Sequence, residues 1–283
     1  MEELTNVFLL ISKPYGITSR KFLNEISRVL GEKRVGHLGT LDPMATGLLF
    51  VALGKYTRLL PYVNLETKEY VIEITFGIET DTWDITGRVV RAYDVLVKEE
   101  DVLRALPKFV GKIKQRIPFF SAKKLRGVEL YKLARKETFI ETFKDVEILG
   151  IEYMGFKNNK LVLRVTSSSG TYMRSLAYEL GLMLGVPSTL SAITRTKIGN
   201  LSISMATTIN RLRQGDFSKG LVPPQAVINM PIIVVDGDAF KLGKSEPLNQ
   251  VIVLDKTYNV IGIGEIKGIL KPKVVIDEDN RVS

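Results

Sequence analysis

The chain has 283 residues, 45% of them hydrophobic and 25% charged, with 40 Lys+Arg against 31 Asp+Glu for a formal net charge of +9. That balance describes a folded protein with room for one large domain and a small module, and its charge suits a polyanionic partner. There is no cysteine and a single histidine, which excludes disulfide scaffolds, thiolate zinc, thiol nucleophiles and multi-histidine metal sites, and leaves a Ser-His-Asp hydrolase only if His37 is its base.

Taken in chain order, the acidic Met1-Glu2-Glu3 is unlike the basic start of a signal peptide. The apolar run Val7 to Ser12 reads as a buried first strand, stopped by Lys13-Pro14-Tyr15-Gly16. Thr18 or Ser19 caps a helix carrying Phe22, Leu23, Ile26, Val29 and Leu30, closed by Gly31. Residues 32–47, rich in Gly, Thr and Pro, read as a long structured loop, and Leu48 to Leu53 as a buried strand far too short to cross a bilayer. From Glu69 to Gly77 the pattern alternates, with Tyr70, Ile72, Ile74 and Phe76 on one face. A strand at Leu161–Val165 leads through Ser167-Ser168-Ser169-Gly170 to a helix whose stripe is Met173, Leu176, Ala177, Leu180, Met183 and Leu184. Strands and helices mix without a regular βαβα rhythm, so the fold class is α+β.

Charge is uneven along the chain. From Lys108 to Glu137 there are ten Lys/Arg and two acids, a net of +8, with Phe119, Phe120 and Tyr131 interleaved. Basic charge neutralises phosphates and aromatic faces stack on bases, although a solvated hairpin of lysines has the same composition. After Gly220-Leu-Val-Pro-Pro, short β runs at Ile232–Asp236, Val251–Asp255, Asn259–Ile263 and Lys273–Ile276 predict a small all-β module. From Met230 onward it holds seven Lys/Arg and eight acids, a poor composition for gripping phosphates. The predicted domains are therefore 1–229, with a basic insertion at about 108–142, and 230–283.

The densest string is Gly36-His37-Leu38-Gly39-Thr40-Leu41-Asp42-Pro43-Met44-Ala45-Thr46-Gly47. Pro43 pushes Asp42 toward an extended conformation that can project its carboxylate, while Asp-Pro alone is a common turn. The whole string resembles the catalytic loop of the TruB family of pseudouridine synthases. Lys13-Pro14-Tyr15-Gly16-Ile17-Thr18-Ser19 is similar to that family's opening motif, and Lys68-Glu69-Tyr70 to the segment bearing its active-site tyrosine. Phe120-Ser121-Ala122-Lys123 through Gly127, Leu130-Tyr131 and Ala134-Arg135 resembles its RNA-clasping insertion. Ser169-Gly170-Thr171-Tyr172-Met173-Arg174-Ser175-Leu176-Ala177 resembles its arginine motif. These motifs keep the family's order over residues 13–177, with weaker likeness through Ile193-Thr194-Arg195-Thr196-Lys197-Ile198-Gly199.

The resemblance implies a pseudouridine synthase fold: a mixed, mainly antiparallel central sheet flanked by helices and loops, followed by a PUA-like C-terminal β module. It implies isomerisation of the uridine at position 55, in the T-loop of tRNA, with no metal and no cofactor. The partner would be the tRNA T-arm, with no membrane and no obligatory protein partner, for a monomer in the cytoplasm. The catalytic residues it implies are Asp42, Tyr70 and Arg174. Arg174 falls in the first turn of its helix, where the macrodipole disfavours a cation, and an anion opposite would explain it. A charge-assisted contact, bidentate in its fullest form, would aim the Asp42 carboxylate. Tyr70 can stack on a uracil or exchange a proton, though a strand Tyr alternating with Ile is also an ordinary core residue. His37 is implied to hold the target nucleotide out of its stack. Lys13 would support the loop, Tyr172 and Ile193 would line the pocket, and Lys123, Lys124, Arg126, Tyr131 and Arg135 would belong to the clasp. Two rivals share the scaffold: a tRNA-folding chaperone, and a guide-RNA-dependent synthase of ribosomal RNA, a group that usually carries longer extensions.

Overall fold

The computed structural model describes residues 6–120, 124–125, 128–129, 141–235, 248–255, 260–266 and 270–276. Strand β1 (Phe8–Lys13) leads into helix α1 (Ser19–Leu30), followed by β2 (Val35–Leu38), β3 (Thr46–Leu53), β4 (Thr67–Phe76), β5 (Ile78–Thr80) and β6 (Val89–Ala92). Helix α2 (Glu99–Ala105) precedes β7 (Gly111–Arg116), the two-residue strands β8 (Lys124–Leu125) and β9 (Val128–Glu129), β10 (Phe143–Lys157) and β11 (Lys160–Ser168). Then come α3 (Met173–Leu184), β12 (Ser188–Ile198), β13 (Leu201–Ser202), α4 (Ile209–Arg213) and β14 (Leu221–Val222). The last strands are β15 (Ile232–Val234), β16 (Leu248–Leu254), β17 (Val260–Ile266) and β18 (Leu270–Val275).

Ten strands form one sheet in the order β14-β1-β3-β12-β4-β11-β10-β7, with β13 added to β12 and β2 to β3. Only the β3–β12 pairing in it is parallel, so the sheet is mixed and mainly antiparallel, as expected of an α+β chain. A separate four-stranded sheet, β15-β16-β17-β18, closes the chain. The 32–47 segment departs from expectation. Val35–Leu38 pairs antiparallel with β3, with His37 opposite Val51. Its half-buried side chains lack the apolar alternation that would have announced a strand.

The continuous apolar runs of β1 and β3 have a physical cause: both faces are covered. Leu9, Ile11, Leu49 and Val51 pack on Phe22, Leu23 and Ile26 of α1. Phe8, Leu10, Leu48 and Phe50 share a second cluster with Ile252, Leu254 and Ile263 of the C-terminal sheet. A third cluster joins Ile72, Ile74, Leu161 and Leu163 to Met173, Leu176, Ala177 and Leu180 of α3. Of the predicted α3 stripe only Met183 is exposed; Leu184 is half-buried and still packs on this cluster. Thr18 caps α1 by accepting a hydrogen bond from Lys21 N at 3.1 Å, and Gly31 ends it with φ 71°. No helix among the described residues is long and apolar enough to cross a membrane.

Candidate active site

A cleft of about 1150 Å³ opens where the loop after β2, the starts of β4 and α3, and strand β12 converge. Asp42, Tyr70, Tyr172, Arg174 and Ile193 all line it, although they come from four separate stretches of chain.

The Asp42 loop is fastened from below. Ser19 Oγ accepts from Leu41 N and donates to Leu41 O, both at 2.9 Å. Gly16 N donates to Pro43 O at 2.8 Å, and Ala45 N to Asp42 O at 3.0 Å. Lys13 is wholly buried beneath the loop, its Nζ donating to Ile17 O (2.7 Å), Pro14 O (2.9 Å) and Pro43 O (3.3 Å). Burial pulls that ammonium down to about 8; Asp42 pushes it back up and Arg195 lowers it further. An ammonium committed to three carbonyls is a strut that ties the turn after β1 to the Asp42-Pro43 corner. Gly47 follows with φ 96°, and a Cβ there would lie 2.4 Å from Arg195 O, so only glycine allows the start of β3 to run beside the later part of β12.

Asp42 keeps 44% of its side chain exposed, and its Oδ2 lies 2.9 Å from Nε of Arg174, which is almost fully buried. The contact is single-pronged. Both terminal nitrogens of Arg174 are spent on backbone, Nη1 donating to Thr82 O and Nη2 to Phe120 O, each at 3.1 Å. Nε also faces Oδ2 of buried Asp84 at 3.7 Å, and its N–H has an aligned hydrogen bond to neither carboxylate. The sequence reading did not single out Asp84. Its other oxygen accepts from Thr82 Oγ1 (3.0 Å), Thr86 N (3.0 Å) and Thr86 Oγ1 (2.5 Å). A guanidinium set between two carboxylates, with both forks fixed to main chain, has one geometry available to it.

Tyr70 is both core and cleft: 7% exposed, packed in the cluster with Ile72 and Ile74, yet lining the opening. Burial raises its phenol well above the usual range; a hydrogen bond and charge from Arg195 oppose this, and Asp42 adds to it. Arg195 stands opposite Tyr70 in the β4–β12 register. It is 1% exposed and donates from Nε to Leu48 O (2.7 Å) and from Nη2 to Gly39 O (2.8 Å). Gly39 has φ 72°, and a Cβ there would press on Arg195 Nη1 at 3.2 Å and Lys68 Cε at 3.3 Å. Lys68 Nζ donates to Ser169 Oγ at 2.6 Å, and burial, then Arg195 and Lys144, bring it down to about 8. Lys68, Lys144 and Arg195 thus give the cleft a cationic wall that was not singled out beforehand. The alternation placing Tyr70 and Ile72 inward also places Lys68 inward, which was the available signal.

His37 sits on β2, its Nε2 3.2 Å from Thr40 Oγ1. Burial, then Arg195 and Arg20, lower its imidazole below the ordinary value, which favours the neutral ring. Tyr172 caps α3 through its backbone: its O accepts from Leu176 N (3.2 Å) and from Gln115 Nε2 (3.0 Å), and its N donates to Gln115 Oε1 (2.8 Å). Ile193 lies half-buried on β12, its carbonyl near Thr46 Oγ1 (3.4 Å). Of the expected clasp residues, Lys124 belongs to the β8 strand; Lys123, Arg126, Tyr131 and Arg135 lie outside the described residues. No group of three or more His, Asp or Glu placed to hold a metal occurs among the described residues.

Residues 27–173 match the family model described as TruB family pseudouridylate synthase (N terminal domain). A Thermosipho melanesiensis protein named tRNA pseudouridine synthase B is 38% identical over 82% of this chain and 76% of its own length. Its namesake from Acaryochloris marina is 36% identical over 95% of this chain and 98% of its own. Among solved structures, a chain in the crystal structure of a Cbf5-Nop10-Gar1 complex superposes with a TM-score of 0.70 at 21% identity, covering 96% of this chain and 85% of that one.

Proposed function

The chain belongs to the TruB family of pseudouridylate synthases, and from that premise we propose that it isomerises the T-loop uridine of tRNA with Asp42 as the catalytic carboxylate. Its relatives carry the name tRNA pseudouridine synthase B over nearly the whole chain, so the activity is that of an isomerase acting on tRNA. In this reaction the N1–C1′ bond of uridine breaks and a C5–C1′ bond forms. The C5 hydrogen leaves as a proton and N1 gains one, so no oxidant, metal or energy source enters the balance.

The observation that carries the reading is the half-open Asp42 carboxylate at the cleft, held 2.9 Å from a buried guanidinium. Its carboxylate meets the sugar or base of a nucleotide turned into the cleft. Tyr70 offers the flat face and the phenol that such a base needs. The cationic wall of Lys68, Lys144 and Arg195 suits the phosphates on either side of it. His37, on β2 next to the lining residue Leu38 and shifted toward its neutral form, is the wedge that occupies the vacated stack. We place the basic insertion and the domain 1–229 in the clasping role, with 230–283 as a PUA-like module whose acidic composition makes it a minor RNA contact. The protein acts on free tRNA as a monomer in the cytoplasm, without a guide RNA.

Purified protein incubated alone with a tRNA transcript tritiated at uracil C5 tests all of this, because pseudouridine formation must expel that label. Asp42→Asn should lower release by about 10³-fold or more while tRNA binding persists. His37→Ala should lose only about tenfold. Release that survives Asp42→Asn overturns the catalytic assignment, and folded wild-type protein that binds tRNA without release supports the chaperone reading instead.

A further inference from the structure

The chain's one tryptophan, Trp83, belongs to none of the sequence motifs above, yet its two neighbours in sequence are partners of Arg174. Thr82, immediately before it, gives the carbonyl that accepts from Arg174 Nη1. Asp84, immediately after it, gives the carboxylate 3.7 Å from Nε. The indole itself lies flat on Tyr178, with ring centroids 4.2 Å apart and planes 7° from parallel. Tyr178 is one turn beyond Arg174 on α3, on the same face of that helix. On another side Trp83 meets Phe119, with centroids 6.1 Å apart, and the next residue, Phe120, offers the carbonyl that takes Arg174 Nη2. Three aromatic rings thus register the three stretches of chain that grip one guanidinium.

The backbone points the same way. Trp83 has φ 61°, a left-handed conformation that a bulky side chain rarely adopts. Such a conformation persists only where the surroundings over-determine it. Here Trp83 O accepts from Leu190 N (3.1 Å) and Ile85 N donates to Leu190 O (2.9 Å), pinning the loop to β12, while the ring is held 7% exposed between α3 and the end of β7.

We propose that Trp83 is a positioning residue for Arg174: the Trp83–Tyr178–Phe119 stack fixes the Thr82, Asp84 and Phe120 partners and so sets the guanidinium that holds Asp42. The inference rests on the reading of Asp42 and Arg174 as the catalytic pair. It predicts a defect in the chemical step and not in RNA affinity, because the stack lies behind Arg174.

The test is tritium release under saturating and subsaturating tRNA, with tRNA Kd measured separately. Trp83→Ala should lower kcat about tenfold or more, since small misplacements of reacting groups are that costly, while Kd stays within about threefold of wild type. Trp83→Phe, which keeps a ring against Tyr178, should recover most of the loss. Tyr178→Leu should reproduce the Trp83→Ala defect from the other element, and decides the matter if Trp83→Ala does not fold. A folded Trp83→Ala or Tyr178→Leu protein with wild-type kcat overturns the proposal, as does a Trp83→Phe protein no better than Trp83→Ala. Asp42→Asn in the same assay separates the two readings: if it is active the catalytic pair is wrong, and if it is dead while Trp83→Ala is normal only the positioning role falls.

Discussion

Two buried arginines line the cleft, and they are solvated by the protein in opposite ways. Arg174 is matched by two carboxylates, Asp42 at 2.9 Å and Asp84 at 3.7 Å, with carbonyls taking its forks. Arg195 is held by the carbonyls of Leu48 and Gly39 and by Tyr70, and among the described residues no carboxylate pairs with it. Its positive charge is therefore felt by its surroundings: it lowers Lys13, Lys68 and His37 alike. A neutralised arginine fixes a geometry, whereas an unneutralised one beside Lys68 and Lys144 leaves a field that a polyanion can satisfy. The same cleft thus holds one arginine whose charge is spent on fixed partners and one whose charge is left to its surroundings.

Arg174→Met probes that division hardest. It leaves Asp84 buried without its cation, which should destabilise the protein by about 3 kcal/mol in chemical denaturation and abolish tritium release. A variant that is as stable as wild type would show that Asp84 never depended on this pair. The cationic wall is tested by pH. Lys68 is charged below about 8 and neutral above it, so tRNA affinity should weaken as pH rises from 7 to 9. In Lys68→Met affinity should be lower at pH 7 and should change less over that range, and an unchanged pH slope would remove Lys68 from the wall. The smallest effect is the cleanest to read. In Arg195→Met the one histidine loses a neighbouring cation, so the His37 pKa, followed by NMR titration of its single imidazole, should rise toward the ordinary value. No rise would mean that the field of Arg195 does not reach across β2.

Much of this was legible from residue order alone. Period-2 alternation located β4, and the stripe of α1 with Thr18 and Gly31 at its ends located that helix, because both are local patterns. The Asp42 loop and Arg174 were legible only as motifs, since nothing local says that residues 132 positions apart will touch. Asp84 escaped for the same reason, being a loop residue whose partner lies on a helix formed from a later part of the chain. Arg195 sits two residues after Ile193 on the same face of β12, in unbroken register against Ile72 and Tyr70, but an arginine in a strand reads from residue order as a solvated charge and not as a fully buried one. β2 was missed because four half-buried residues beside glycines carry no period at all. The small C-terminal strands were found within a few residues of their bounds, yet the sequence did not disclose that Ile252, Leu254 and Ile263 complete the core over β1 and β3. Ile252, Leu254 and Ile263 are therefore part of what keeps Phe8, Leu10, Leu48 and Phe50 dry.

The sole indole of the chain, lying flat against Tyr178 and adjoining in sequence two of the four partners of the Arg174 guanidinium, is also an optical instrument already installed. Tryptophan emission answers to the distance and tilt of a stacked ring and to the charges around it. With no second tryptophan to dilute the signal, an unlabelled sample mixed with RNA reports the state of the packing behind Arg174 in real time.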